Sequence, residues 1–263
     1  MREIKTAEEL HRILLDLGKE FHRICVKHNI PYYMLGGTML GTVRHKGFIP
    51  WDDDMDFGVP REHYKKLKEI LNRELSSEYG ILTVDNSDVL LVDIIKIQDK
   101  QTVINELYKE NINEDFGINI DIFPLDIAVS PNSNIKQKIL SVLLSIQYYR
   151  FLSLKSRPFL KKMVAAVIKF SLFPLNKTTI IKLINKKLIT NKGLYIANHY
   201  GAWGSRETVP SEVMGNPKLY KFESTQFYGV ENAHEYLSSL YGDYMQLPPE
   251  GKRHIHITGM YRK

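Results

Sequence analysis

Four carboxylates stand close together in Trp51-Asp52-Asp53-Asp54-Met55-Asp56-Phe57, at the start of an otherwise apolar run. Read as a strand over Asp53–Val59, the alternation of side chains sends Asp52, Asp54 and Asp56 to one face and Asp53, Met55 and Phe57 to the other. Two carboxylates spaced this way can share a hard divalent cation, Mg2+ or Mn2+, which takes oxygen ligands and commonly bridges carboxylates to substrate phosphates. Unpaired charges in such an apolar setting are costly, so a cationic partner is expected. Upstream lies Leu35-Gly36-Gly37-Thr38. A strand, two glycines and a helix start form an anion site, because glycine lets a phosphate approach the backbone and the first-turn N–H groups lack helical partners. A glycine pair alone is a turn signal; followed by an acidic strand it becomes specific. Lys96, inside the apolar segment Val89–Ile97, requires an anionic partner.

The elements that would hold these residues are legible in the periodicity. Thr6 and Glu9 form a capping box, and Leu10, Ile13, Leu14, Leu17, Phe21, Ile24 and Cys25 recur at helical spacing to about His28. Tyr32–Leu35 reads as a short buried strand, Thr38 to about His45 as a short helix, and Pro60 as the start of a helix to about Leu75. Further strands are expected at Gly80–Val84, Val89–Ile97 and Gly117–Phe123. The order predicts an α+β domain with a mixed sheet. Ile135–Ile189 has a helical pattern broken at Pro158 and Pro174, and the chain from Asn191 onward reads as loops and short elements. The organisation expected is a catalytic core over 1–134, a basic helical segment over 135–190, and a loop-rich region over 191–263 that completes the site.

Composition narrows the class. The single cysteine, Cys25, excludes an internal disulfide and lies on the apolar stripe of the first helix, as buried filler. There is no secretory leader pattern and no run of about 18 apolar residues, so a cytoplasmic protein without a membrane span is expected. From Ile127 through Arg206 the chain has 14 Lys and Arg and no Asp or Glu, leaving the remainder at −8 within an overall +6. Such a basic segment suits a polyanionic acceptor or an anionic membrane surface, or is a solvated face. No nucleic-acid-binding module is recognisable. His45 reads as a loop histidine or a general base, Trp51 as core, and His254 and His256 as alternating strand positions.

The run from Leu35 to Asp56, with Gly36-Gly37 followed by Asp54-Met55-Asp56, resembles the nucleotidyltransferase superfamily and, in detail, the LicD family of phosphocholine transferases, which is similar to the fukutin-related phosphoribitol transferases. The resemblance continues at Asn119–Asp126, His199–Gly204, Tyr241–Met245 and Pro248-Pro249, covers roughly residues 6–256, and thins across Ile135–Ile189. It implies a nucleotidyltransferase-like mixed β-sheet flanked by helices, and a third acid on a neighbouring strand. Asp121 matches best, Asp93 is a weaker match, and Asp126, past Pro124, is expected to cap or orient a turn. It also implies metal-dependent transfer of a phospho-alcohol, phosphocholine foremost, from a CDP-alcohol such as CDP-choline to a sugar hydroxyl of a surface glycan or its lipid-linked precursor, with release of CMP. Asp54, Asp56 and Asp121 would hold the metal, with Asp121 also taking the acceptor proton; Gly36, Gly37 and Thr38 would cradle phosphate; Arg44, Lys46 and Lys96 would add cationic contacts. Tyr200, Trp203 and Tyr228 are candidates for an aromatic cage around choline. An NTP-dependent nucleotidyltransferase, or a non-catalytic glycan- or nucleotide-binding module, are the alternatives.

Overall fold

A computed structural model describes residues 1–87, 90, 92–106, 116–130, 179, 181–182, 185–186, 190, 192–249, 251 and 257–263. In chain order the elements are β1 (Arg2–Glu3), α1 (Ala7–Lys27), β2 (Tyr33–Met34), α2 (Gly36–His45), β3 (Asp56–Pro60), α3 (Arg61–Glu74), β4 (Tyr79–Leu82), β5 (Ile95–Asp99), β6 (Thr102–Glu106), β7 (Asn119–Ala128), β8 (Tyr195–Ala197), β9 (Thr208–Pro210), α4 (Ser211–Met214), β10 (Lys218–Phe222), β11 (Thr225–Gly229), α5 (Ala233–Tyr241) and β12 (Ile257–Arg262). A 3-10 turn, Gly204–Glu207, precedes β9.

The sheet that carries the chemistry runs β10-β11-β2-β3-β7-β5-β4, with β8 on β7 and β9 on β8. β3 and β7 are parallel, as are β2 and β11, while β2–β3 and β5–β7 are antiparallel. The mixed α+β architecture follows the sequence reading. A second, three-stranded sheet, β1-β12-β6, was not expected.

α1 forms where predicted. Thr6 accepts the Glu9 N–H at 3.2 Å, and Leu10, Ile13, Leu14, Leu17, Phe21, Ile24 and Cys25 are buried along one stripe. That stripe and the apolar side of α3 (Tyr64, Leu67, Ile70 and Leu71) pack towards β3, β5 and β7. Phe57 of β3 meets Phe21 of α1 at a centroid distance of 4.8 Å. The neighbouring Asp56 therefore points to the opposite face, the side on which α2 and α5 meet. The same alternation runs through β7, where Ile120 and Ile122 are fully buried and Asp121 between them is not.

Several boundaries shift for identifiable reasons. The glycines do not precede α2; they are its first residues, after Leu35 as an extended N-cap. β3 begins only at Asp56, so Asp52 to Met55 form a loop. β7 passes straight through Pro124 instead of ending before it. Its antiparallel neighbour changes there: β5 pairs with residues 119–122 and β8 with 126–128, so the missing proline N–H falls between two ladders. Asp126 is thus a strand residue, 1% exposed, and not a turn cap. Its two carboxylate oxygens take Nε and Nη2 of Arg61 at 2.8 Å each, while Arg61 Nη1 reaches Asp93 at 2.7 Å. Asp93 also accepts from Asn185, which in turn accepts the Tyr200 hydroxyl at 2.9 Å. Asp93 is committed to this network and is not a third acid of the site.

The region 191–263 is less loop-rich than its composition suggested. The β10–β11 hairpin extends the main sheet past β2, and β12 lies between β1 and β6. The expected basic segment, 135–190, falls almost wholly outside the described residues, as do His254 and His256. Among the described residues no helix is long and apolar enough to cross a membrane.

Removing the buried partner of Arg61 should be severe. Asp126→Ala is expected to lower unfolding free energy by about 3–5 kcal/mol, because a desolvated guanidinium loses its bidentate acceptor. Urea denaturation followed by far-UV circular dichroism measures this; a loss under about 1 kcal/mol would contradict the role assigned to the pair.

Candidate active site

The site forms where the start of α2 meets the start of β3. The Leu35 N–H donates to the Asp56 carbonyl at 3.0 Å, and the Asp56 N–H donates to Thr38 Oγ1 at 2.8 Å. Thr38 is buried, so its hydroxyl positions Asp56. Gly36 has φ +47°, a conformation that favours glycine, and donates its N–H to the Tyr236 hydroxyl at 3.1 Å. A side chain at Gly36 would stand 3.4 Å from Asp56 Oδ2, and one at Gly37 only 2.8 Å from Asp52 Oδ2. The glycine pair thus lets two carboxylates press against the helix start. In that first turn the N–H groups of Gly37 and Thr38 have no carbonyl one turn back to bond, which suits them to an anion.

The third carboxylate arrives on the neighbouring strand. Parallel pairing places Asp121 directly opposite Asp56, and the Asp121 N–H donates to the Met55 carbonyl at 2.9 Å. On its other side Asp121 is in register with Lys96 of β5, whose Nζ donates to Asp121 Oδ1 at 2.5 Å and to Asn119 Oδ1 at 3.0 Å. Lys96 does have the anionic partner its position demanded, and that partner is Asp121, the acid expected third.

The alternation expected of the acidic run survives in its loop. Asp53 is buried and accepts the Ile257 N–H at 2.8 Å, which ties β12 to the site. Oxygens of Asp52, Asp53 and Asp54 lie within 4.8 Å of one another. One Asp53 oxygen is already engaged by the Ile257 N–H. Asp52, Asp54, Asp56 and Asp121 are among the carboxylates that act on one another. Burial raises the Asp56 carboxyl well above the usual range, and Asp54, Asp121, Asp52 and Glu207 raise it further. Asp52 is pushed up to about 8, by burial first and then by Asp54 and Asp53, against a lowering pull from Arg44. Clustered acids that resist ionisation in this way form a favourable seat for a divalent cation.

The C-terminal third closes the site with residues that the sequence reading did not single out. Glu207 is buried. Its Oε2 accepts from the Asn198 side chain at 2.7 Å and its Oε1 from the Trp203 N–H at 2.8 Å, so it clamps the loop between β8 and β9. Burial raises its pKa, opposed by those two hydrogen bonds. The Tyr241 hydroxyl would lie 3.7 Å from a side chain at Gly36, next to Asp56. Tyr241 meets the Trp203 ring edge to face at 4.9 Å. Two signals were available: Glu207 ends the acid-free run that begins at Ile127, and Tyr241 opens the Tyr241–Met245 segment.

Other expected site residues are dispersed. Arg44 lies near Asp52 but spends its Nη1 on the carbonyls of Tyr244, at 2.8 Å, and Gln246, at 3.4 Å. Lys46, the left-handed residue that ends α2, folds back onto the Val43 carbonyl at 3.2 Å, at the opposite end of the helix from the glycines. His45 accepts from Arg44 Nε at 3.4 Å and faces Trp51, which packs partly buried on the core. The three aromatics proposed for a cage do not meet. Tyr200 belongs to the Arg61 network, Tyr228 packs beside His22 of α1 and Tyr32, and of the three only Trp203 reaches the carboxylates, through Tyr241. His11, outside every expectation, holds the Asp52 carbonyl at 2.8 Å and stacks on Phe48.

Comparison with known proteins agrees with this geometry. Residues 29–166 match the family model described as "LicD/FKTN/FKRP, nucleotidyltransferase domain". The chain is 30% identical over 261 residues to the lipopolysaccharide cholinephosphotransferase LicD of Haemophilus influenzae, covering 95% of this chain and 96% of that protein. It is also 32% identical over 120 residues to an uncharacterized protein of Rickettsia prowazekii, covering 43% of this chain and 44% of that protein. With acids, glycines and strand register in the arrangement described, the chain belongs to the LicD/FKTN/FKRP family of nucleotidyltransferase domains.

Proposed function

We propose that this protein is a phosphotransferase that moves phosphocholine from CDP-choline to a sugar hydroxyl of a surface glycan, such as that of a lipopolysaccharide or its lipid-linked precursor, and releases CMP. The single observation that carries the reading is the set of mutually repelling carboxylates, Asp52, Asp54, Asp56 and Asp121, gathered at the glycine start of α2. Near full-length similarity to a lipopolysaccharide cholinephosphotransferase supports the choice of alcohol and acceptor class.

The donor set fits Mg2+ or Mn2+: hard oxygens, partly buried, with more negative charge than they can hold unaided. Asp54 and Asp56 would be its principal ligands, with Asp121 completing the set. When bound, such a cation offsets charge on the transferred phosphoryl group and the departing CMP. The first-turn N–H groups of Gly37 and Thr38 receive a phosphate oxygen. Lys96 engages Oδ1 of Asp121, which leaves the second oxygen to orient the acceptor hydroxyl and take its proton. Glu207 fixes the loop that covers this side of the site. The acid-free basic run from Ile127 to Arg206 supports a contact with a phosphate-rich acceptor or with the anionic membrane in which a lipid-linked acceptor resides.

Three outcomes are expected. Asp54→Asn and Asp56→Asn should each cut CMP release from CDP-choline by about a thousandfold or more, while metal-free melting temperatures hold or rise, since like-charge repulsion is relieved. Turnover near wild type in either variant contradicts the assignment. Chelation should abolish CMP release and added Mg2+ or Mn2+ restore it. Pyrophosphate release from an NTP in place of CMP release from CDP-choline would favour the nucleotidyltransferase alternative. Sedimentation with liposomes should increase with anionic lipid and weaken with salt. It should fall when Lys155, Lys161, Lys162 and Lys169 become Gln; if none binds at low salt, the basic run serves the acceptor instead.

A further inference from the structure

We propose that Trp203, held by the Glu207 clamp and paired with Tyr241, forms the subsite for the alcohol headgroup of the donor and selects a quaternary ammonium over a neutral polyol. The inference rests on the transferase reading given above and adds to it a residue that sets specificity.

Trp203 is 44% exposed, unusual for a large aromatic ring beside a buried acidic cluster. Its exposure is not a sign of looseness. The Trp203 N–H donates to Glu207 Oε1 at 2.8 Å, and the other oxygen of that carboxylate is anchored on Asn198. The ring stands against Tyr241 at 4.9 Å with planes 80° apart. Tyr241 in turn carries its hydroxyl to Gly36, where Asp56 Oδ2 also converges. An aromatic surface is therefore fixed, partly open to solvent and one residue removed from the carboxylates.

This chemistry discriminates among alcohols. A quaternary ammonium has no N–H to donate; it binds aromatic faces and negative potential. Trp203, paired with Tyr241, supplies the aromatic surface. A glycerol or ribitol headgroup needs several hydrogen-bonding partners, and the Trp203 ring offers one indole N–H. Of the three aromatics proposed for a cage, only Trp203 touches Tyr241, the ring next to Asp56, so Tyr241 takes the place of Tyr200 and Tyr228.

The test is equilibrium binding by calorimetry to the full chain with Mg2+ present, using CDP-choline, CDP-glycerol and phosphocholine. Wild type is expected to bind CDP-choline more tightly than CDP-glycerol. Trp203→Ala should weaken CDP-choline on the order of tenfold while CDP-glycerol changes less than about twofold, and Trp203→Phe should retain most of the preference. Equal weakening of both donors, or none, overturns the proposal, the first by reducing Trp203 to a structural role. If wild type binds the two CDP-alcohols equally, the headgroup inference falls and the CDP-alcohol reading stands. If it binds phosphocholine through Trp203 but neither CDP-alcohol, the headgroup subsite stands and the donor reading falls.

Discussion

Everything in this fold answers to one awkward fact: several carboxylates are held close enough to repel one another. Left to solvent they would separate. The structure prevents this by backbone constraint. Parallel pairing sets Asp56 opposite Asp121, the Asp56 N–H is tied to Thr38, and the Asp52 carbonyl is held by His11. The apolar support is equally direct, since Phe57, Ile120 and Ile122 anchor the two strands against α1 and so fix which way the intervening acids point. Folding energy from the α1 side is thereby used to hold charge on the α2 side. This is the usual relation between a stable core and a functional site that is unfavourable in isolation.

The glycines serve the same constraint from the other direction. Gly37 leaves room for the Asp52 carboxylate, and Gly36 adopts a left-handed backbone that turns its N–H to Tyr236. α2 therefore begins where negative charge collects, the end of a helix that favours it. Lys96 adds an ion pair to this cluster, on Asp121, so the charges are opposed from both strand and helix.

Features written in neighbouring residues were readable in advance. The cap and stripe of α1, the Gly36-Gly37 pair and the alternating acids are local patterns, and the structure realises each. Asp121 came from resemblance, and its register with Asp56 could be known only once β3 and β7 were paired. What escaped was non-local. Glu207 is an ordinary acid in the chain until Asn198 and Trp203 close around it. β8, β9 and β12 are short, with little periodicity to distinguish them from loops. The aromatic trio is dispersed in the structure because composition does not say which face of which element a ring will occupy. Asp126 was misplaced because Pro124 reads as a strand stop unless the change of neighbouring strand is known.

The contacts that complete the site span much of the chain. Gly36 is bonded to Tyr236, 200 residues later, Arg44 to the Tyr244 carbonyl at the same separation, and Asp53 to Ile257 across 204. Long-range pairings of this kind form late, because loop closure must precede them. During synthesis the acids and glycines emerge well before these partners. A nascent chain halted before residue 257 would carry the full acidic motif and still lack β12 and the backbone donor it provides to Asp53. The geometry of the acidic loop is thus set only once a strand 204 positions further along has been made: the carboxylates come first and their backbone anchor later.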